Sequence, residues 1–72
     1  MHINRTEYKE LLKKYYLCDA EVCREAQHMN QSHFTRLVNN VVGLTPKAKL
    51  RIEMGLMQLD VDEQDIQKIW GE

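Results

Sequence analysis

Gln31, Ser32, Thr35 and Arg36 stand at positions i, i+1, i+4 and i+5 of one short run, a spacing that gathers all four on one side of a helix. Their chemistry is that of base-edge recognition. A guanidinium donates two parallel hydrogen bonds to guanine, a carboxamide pairs bidentately with adenine, and threonine offers a hydroxyl and a methyl group. The opposite side of the run holds Phe34, Leu37, Val38 and Val41, an apolar stripe suited to a core. A solvated helix face has a similar composition, so the flanking segments weigh the choice toward base reading.

Other combinations that do chemistry are present in type but not in spacing. Cys18, Cys23, His28 and His33 recur every five residues. A zinc site needs ligand pairs separated by a longer loop so that four side chains converge, whereas residues five apart on a helix diverge. Cys23 also falls at an apolar position, where it acts as a small buried side chain, and no disulfide with Cys18 is expected. Asp60, Asp62, Glu63 and Asp65 are too tightly spaced for a calcium loop and lack its central glycine, so helix capping and a solvated acidic face account for them. No nucleophile–base–orienter set and no glycine-rich phosphate loop exists; neither an enzyme nor a metal or other cofactor is expected, nor a small-molecule substrate.

The elements that must position the four polar residues follow from caps and periodicity. Asp19 suits the N-cap of a helix that buries Val22, Cys23 and Ala26. Gln27-His28-Met29 makes a turn, and Asn30 caps the next helix, expected over residues 31–40. Gly43 stops it through the left-handed conformation that glycine tolerates, and Thr45-Pro46 restarts the chain with a threonine N-cap and proline at the first helical position. This fourth helix, about residues 46–59, turns Leu50, Met54, Met57 and Leu59 inward and leaves Ile52 and Leu56 partly covered. Upstream, a helix from about Thr6 to Tyr16, capped by Asn4 or Thr6, aligns Tyr8, Leu11, Leu12, Tyr15 and Tyr16 in one stripe. Asp62 caps an acidic fifth helix, about residues 62–70, with Ile66, Ile69 and Trp70 as its apolar residues. Strand signals are almost absent. The expected fold is all-α: residues 1–72 form a single small bundle of about five helices containing one helix-turn-helix at about residues 19–40.

Composition bounds the function. The chain has 72 residues, 43% hydrophobic and 29% charged, with three Gly and one Pro, which suits one compact helical domain rather than disorder. No apolar run spans a bilayer and no signal peptide is read at the start, so no membrane role and a cytoplasmic location are expected. The net charge of −1 is low for a nucleic-acid binder, but it is unevenly spread. Residues 1–51 carry nine Lys/Arg against five Asp/Glu, a net +4; residues 52–72 carry one Lys against six acids, a net −5. Lys47, Lys49 and Arg51, near the start of helix 4, either hold phosphate together with the helix N-terminus or simply solubilise the helix. Asn30, Asn39 and Asn40 are similarly open between neutral phosphate contacts and capping. Tyr16 and Trp70 are the large aromatics best placed for a protein interface, with Trp70 docking on helix 1 or on a partner.

The run Val22-Cys23-Arg24-Glu25-Ala26, then Ser32-His33-Phe34-Thr35-Arg36-Leu37-Val38, then Gly43-Leu44-Thr45-Pro46, resembles bacterial transcription regulators of the AraC/XylS family. Members read something like L-A-R-E-A-G-M-S, S-H-F-S-R-L-F-K and G-x-[ST]-P. Leu50-Arg51-Ile52-Glu53 and Met54 to Leu59 are similar to that family's linker helix, and Asp65-Ile66-Gln67-Lys68-Ile69 to the opening of its second motif. The resemblance covers most of residues 6–70, but only the first half of the usual two-motif domain. The turn lacks the customary glycine and is one residue longer, and Val38-Asn39-Asn40 replaces an aromatic-then-basic segment. Small phage regulators of the Cro, CI and CII kinds are more loosely similar. Both resemblances imply a transcription regulator, and the AraC/XylS resemblance implies base contacts at Gln31, Ser32, Thr35 and Arg36.

The expected function is therefore double-stranded DNA binding, with the helix at 31–40 in the major groove. One motif reads only about three or four base pairs, so a homodimer or a partner regulator is expected. The alternative is a protein-interaction module, an antirepressor that occupies another regulator's DNA-binding surface. The near-neutral charge, acidic tail and asparagines in place of basic residues motivate it.

Overall fold

The first helix opens where Asn4 adopts an extended conformation and its Oδ1 accepts the Glu7 amide at 3.2 Å, satisfying an N-terminal donor that has no partner within the helix. The computed structural model describes residues 1–71. Their order is β1 (His2–Ile3), α1 (Arg5–Tyr15), α2 (Asp19–Glu25), α3 (Gln31–Val38), α4 (Pro46–Gln58), α5 (Glu63–Lys68) and β2 (Trp70–Gly71). The fold is a small all-α bundle, with one addition that periodicity does not announce. The two strands pair antiparallel, His2 opposite Gly71 and Ile3 opposite Trp70, and join the beginning of the described chain to its end. Among the described residues no helix is long and apolar enough to cross a membrane.

Thr45 and Asp62 cap α4 and α5 as their positions predict, accepting the Ala48 and Gln64 amides at 3.1 and 2.9 Å. The start of α2 differs. Cys18 is the N-cap, and Glu21 Oε1 accepts its N–H at 3.2 Å. Asp19 lies inside the first turn, because its carboxylate accepts the Tyr8 hydroxyl at 2.7 Å instead of a backbone amide. Burial and that carboxylate both push the Tyr8 phenol above its ordinary range, so it stays a neutral donor.

Helix ends are where glycine was expected and is not used. No glycine has a positive φ; Tyr16, Asn40 and Asp60 take the left-handed conformation at the ends of α1, α3 and α4. In each case the next amide reaches back five residues: Leu17 to Leu12 at 2.8 Å, Val41 to Arg36 at 2.8 Å, Val61 to Leu56 at 3.1 Å. These closures satisfy carbonyls left open at the helix C-termini. Gly43 therefore does not end α3. The helix stops at Val38, and Val41, expected in the apolar stripe, is 71% exposed beyond it. Tyr16 likewise leaves the buried stripe of α1, and Tyr8 and Leu11 carry it. Asn40 does a further job: its Nδ2 donates to the Ile3 carbonyl and its Oδ1 accepts the Ile3 amide, both at 2.9 Å. The carboxamide thus serves β1 as a substitute strand neighbour and is not a free polar group.

The core contains Val22, Ala26, Phe34, Leu37, Ile52, Leu56, Ile66 and Ile69, each 1% exposed or less. Helix α4 corrects the sequence reading most sharply. Its inward face is Ala48, Ile52, Gly55 and Leu56, whereas Leu50, Met54 and Met57 face outward. The reason is the packing of α4 on α2, the most extensive contact between elements. A methyl group on Gly55 would lie 2.8 Å from the Ala26 nitrogen and 2.9 Å from the Glu25 carbonyl carbon. Only the face bearing the glycine lets the two backbones approach this closely.

The far side of the bundle is fastened by polar groups. Asp65 of α5 accepts from Lys14 Nζ at 2.9 Å and from the Tyr15 hydroxyl, which in turn accepts the Asp62 amide at 3.1 Å. Asp65 is thus a junction between α1 and α5, in contrast to the solvated acid expected. The Tyr15 hydrogen bond, then the Lys14 one, hold its carboxyl below the ordinary aspartate range.

Two stability measurements test these contacts. Gly55→Ala would gain about 1 kcal/mol as an isolated helix substitution. Against the α2 backbone the clash costs about 1–3 kcal/mol and wins, so the thermal midpoint falls; a rise would refute the close approach. For Asp65 the folded-state pKa is depressed, so its stabilisation is complete above the ordinary value of about 3.8 and is lost as the pH falls through the lower one. Asp65→Asn should lower the melting temperature at neutral pH, and the gap from wild type should narrow as the pH falls below the ordinary aspartate value.

Candidate nucleic-acid interface

Helix α3 is held by Phe34, Leu37 and Val38, all buried, and by its cap, Asn30, whose Oδ1 accepts the His33 amide at 3.2 Å. The eight-residue helix is therefore fixed on one side only. Gln31, Ser32, Thr35 and Arg36 are all exposed on the other side, together with Asn39 just past the helix end. The turn before α3 puts Gln27 and His28 both in the left-handed region, with φ of 59° and 54°. Cys23 braces it from beneath, its thiol donating to the Met29 carbonyl at 2.8 Å. This turn is where a single glycine was expected from the resemblance; two successive left-handed residues take its place.

A hollow flanks each end of α3. The first, about 160 Å³, is lined by His33 of α3, by Thr45 and by Lys47 and Arg51 of α4. The second, about 170 Å³, brings Arg5 and Lys9 of α1 beside Val38 and Asn39. Lys47 and Arg51 are four residues apart, as are Arg5 and Lys9, so each pair occupies one helix face. A third hollow, about 200 Å³, lies elsewhere, between α1 and α5, where Glu7, Glu10, Lys14, Asp65 and Lys68 mix both signs of charge.

The ion pairs divide the cations. Lys14 and Lys68 approach Asp65 at 2.9 and 3.9 Å, and Lys49 approaches Glu53 at 4.0 Å. Among the described residues, Arg5, Lys9, Lys13, Arg24, Arg36, Lys47 and Arg51 make no such pair. The cations beside α3 are thus free to meet an anion, while those near α5 are engaged.

The expected phosphate residues are therefore split. Lys47 and Arg51 come together near α3. Lys49 does not: it faces the other way, its ammonium 5.4 Å from the centre of the Trp70 ring. Asn30 spends its side-chain oxygen on capping, and Asn39 remains exposed in the second hollow. Arg5 and Lys9 are not singled out by the sequence reading, and His33 is weighed there only as a zinc ligand. The four-residue spacing of Arg5 and Lys9 was legible there, but their position beside Asn39 required the fold. Of the two aromatics proposed for a protein interface, Tyr16 is 93% exposed, whereas Trp70 is half-buried in β2 and packs against the core. Its indole N–H is buried without a hydrogen-bond partner.

The four Cys and His residues are not assembled. Cys18 is exposed at the start of α2 and Cys23 is buried, where desolvation raises its thiol pKa. Among the described residues no three His, Cys, Asp or Glu side chains gather as metal ligands. No protein-family model, curated protein or solved structure gives a significant match to this chain.

The cleft geometry makes a prediction that spacing alone does not. If a duplex lies against α3, Lys47→Ala and Arg51→Ala should each reduce the slope of log affinity against log salt by about 1, the change expected for loss of one phosphate contact. Lys49→Ala should leave the slope unchanged. A slope that responds equally to all three would show that only net charge matters.

Proposed function

We propose that this chain is a small helix-turn-helix DNA-binding transcription regulator of the cytoplasm. Helix α3 lies in the major groove, with Gln31, Ser32, Thr35 and Arg36 toward base edges. The observation that carries the reading is the exposed polar face of α3 with unpaired cations in a hollow at each end. Phosphates border the major groove on both sides, so cations beyond both ends of an inserted helix fix its register while the side chains between them read sequence. Asn39 and His33 add neutral or weakly basic donors to the same two hollows. The short reading helix covers a few base pairs, so useful specificity requires two copies on one site.

A second reading has observations of its own. Tyr16 is 93% exposed, and the net charge of −1 is unusual for a DNA binder. Both suit a module that binds another regulator and blocks its DNA contacts.

Selection from a pool of random duplexes, at low and at moderate salt, separates the two. The regulator reading predicts enrichment of one motif. It also predicts that Arg36→Ala costs about 1–3 kcal/mol in affinity and relaxes preference at one base position. Absence of binding to any duplex at low salt would sink it. A tight complex with another regulator, indifferent to Arg36→Ala, would establish the alternative.

A further inference from the structure

The helix that supplies Lys47 and Arg51 also carries an apolar stripe with nothing on it. Leu50, Met54 and Met57 are 57%, 42% and 59% exposed. At i, i+4 and i+7 they form one seam along α4, on the side opposite Ile52 and Leu56. Isolated exposed hydrophobic residues need no explanation, but an aligned row of three on the longest helix of a small bundle is the pattern of an interface. Methionine adapts to a self-packing partner better than rigid side chains do.

The charges along α4 indicate what covers it. The half before Met54 carries Lys47, Lys49 and Arg51 against one acid, Glu53, which approaches Lys49 at 4.0 Å and leaves a net charge of +2. From Gly55 to Glu63 the chain carries Asp60, Asp62 and Glu63 and no base. Two copies side by side in the same direction set like charges together. Two copies in opposite directions set the basic first turns of each α4 toward the acidic segment, residues 60–63, that follows the other's α4. We propose that this stripe is the seam of a homodimer in which two α4 helices pack antiparallel about Met54. The seam answers the need for two copies in the proposed function and in that sense rests on it, while its position and direction follow from α4 itself. A two-turn seam buries less than the roughly 800 Å² per partner of a standard interface, so the dimer is weak and concentration-dependent.

Sedimentation of the whole chain without DNA, over a wide concentration range, tests it. The mass should rise toward two chains, and Met54→Glu should weaken association about tenfold or more while keeping the wild-type helical spectrum and melting temperature. Direction is read by cross-linking in a Cys18→Ser background. Met54→Cys should oxidise to a linked dimer, Lys47→Cys should not link to itself, and a mixture of Lys47→Cys and Asp60→Cys chains should link to each other. A single chain at every concentration, or a dimer indifferent to Met54→Glu, overturns the seam. Self-linking of Lys47→Cys overturns its antiparallel direction. The DNA reading is scored separately: a dimer that enriches no duplex removes the regulator and leaves the seam, whereas an enriched duplex held by one chain removes the seam and leaves the regulator.

Discussion

The approach of two backbones at Gly55 fixes more of this molecule than any other contact. With no side chain there, α4 comes against the Glu25–Ala26 peptide at the end of α2, and Ile52 and Leu56 are drawn into the core on the same face. Once that face is inward, everything else on α4 is assigned by the 100° step of the helix. Lys47 and Arg51 fall toward α3, Lys49 falls toward Trp70, and Leu50, Met54 and Met57 fall outward. A different rotation of α4 would scatter the cations and bury the stripe. The electrostatics beside α3 are thus a consequence of a packing constraint at a residue that carries no charge.

The helices that display the polar face are short, and their ends are what stop them drifting. Left-handed conformations at Tyr16, Asn40 and Asp60 are sterically costly for residues bearing Cβ, yet each is closed by a backbone bond from the following amide. Asn40 goes further, tying the end of α3 to β1 through both polar atoms of its side chain. Since β1 pairs with β2, the C-terminal end of α3, both strands and the end of α5 form one connected unit. The exposed face of α3 is therefore presented on a fixed support, which is what hydrogen-bond recognition in a groove demands.

Charge follows the same division. The acids of α5 are drawn into contacts with α1, where Asp65 serves Tyr15 and two lysines. This leaves the cations beside α3 without intramolecular partners among the described residues. A net charge near zero is thereby compatible with a locally basic surface, because what a polyanion meets within a screening length is the local arrangement and not the sum.

Local grammar in the sequence was sufficient for the helical class, the number of helices, four of the N-caps and the buried face of α3. Those features depend on residues within one turn of each other: Asn4, Asn30, Thr45 and Asp62 act on amides two or three positions on, and Phe34, Leu37 and Val38 share a face by spacing alone. Where competition acts across the chain, local rules failed. Leu50, Met54 and Met57 look like a core stripe, but hydrophobicity cannot rank two rival faces when one of them carries the only glycine that permits contact with α2. Asp19 looks like a cap, but a tyrosine eleven residues away claims its carboxylate. Gly43 looks like a helix stop, but Asn40 reaches the left-handed conformation first and is rewarded by Ile3, 37 residues earlier. The same holds for the candidate site: the four polar residues of α3 were legible as a face, whereas the cations that flank it were separated from their neighbours only by tertiary structure, since which side of α1 or α4 meets α3 is set by distant packing and not by any residue near them in sequence.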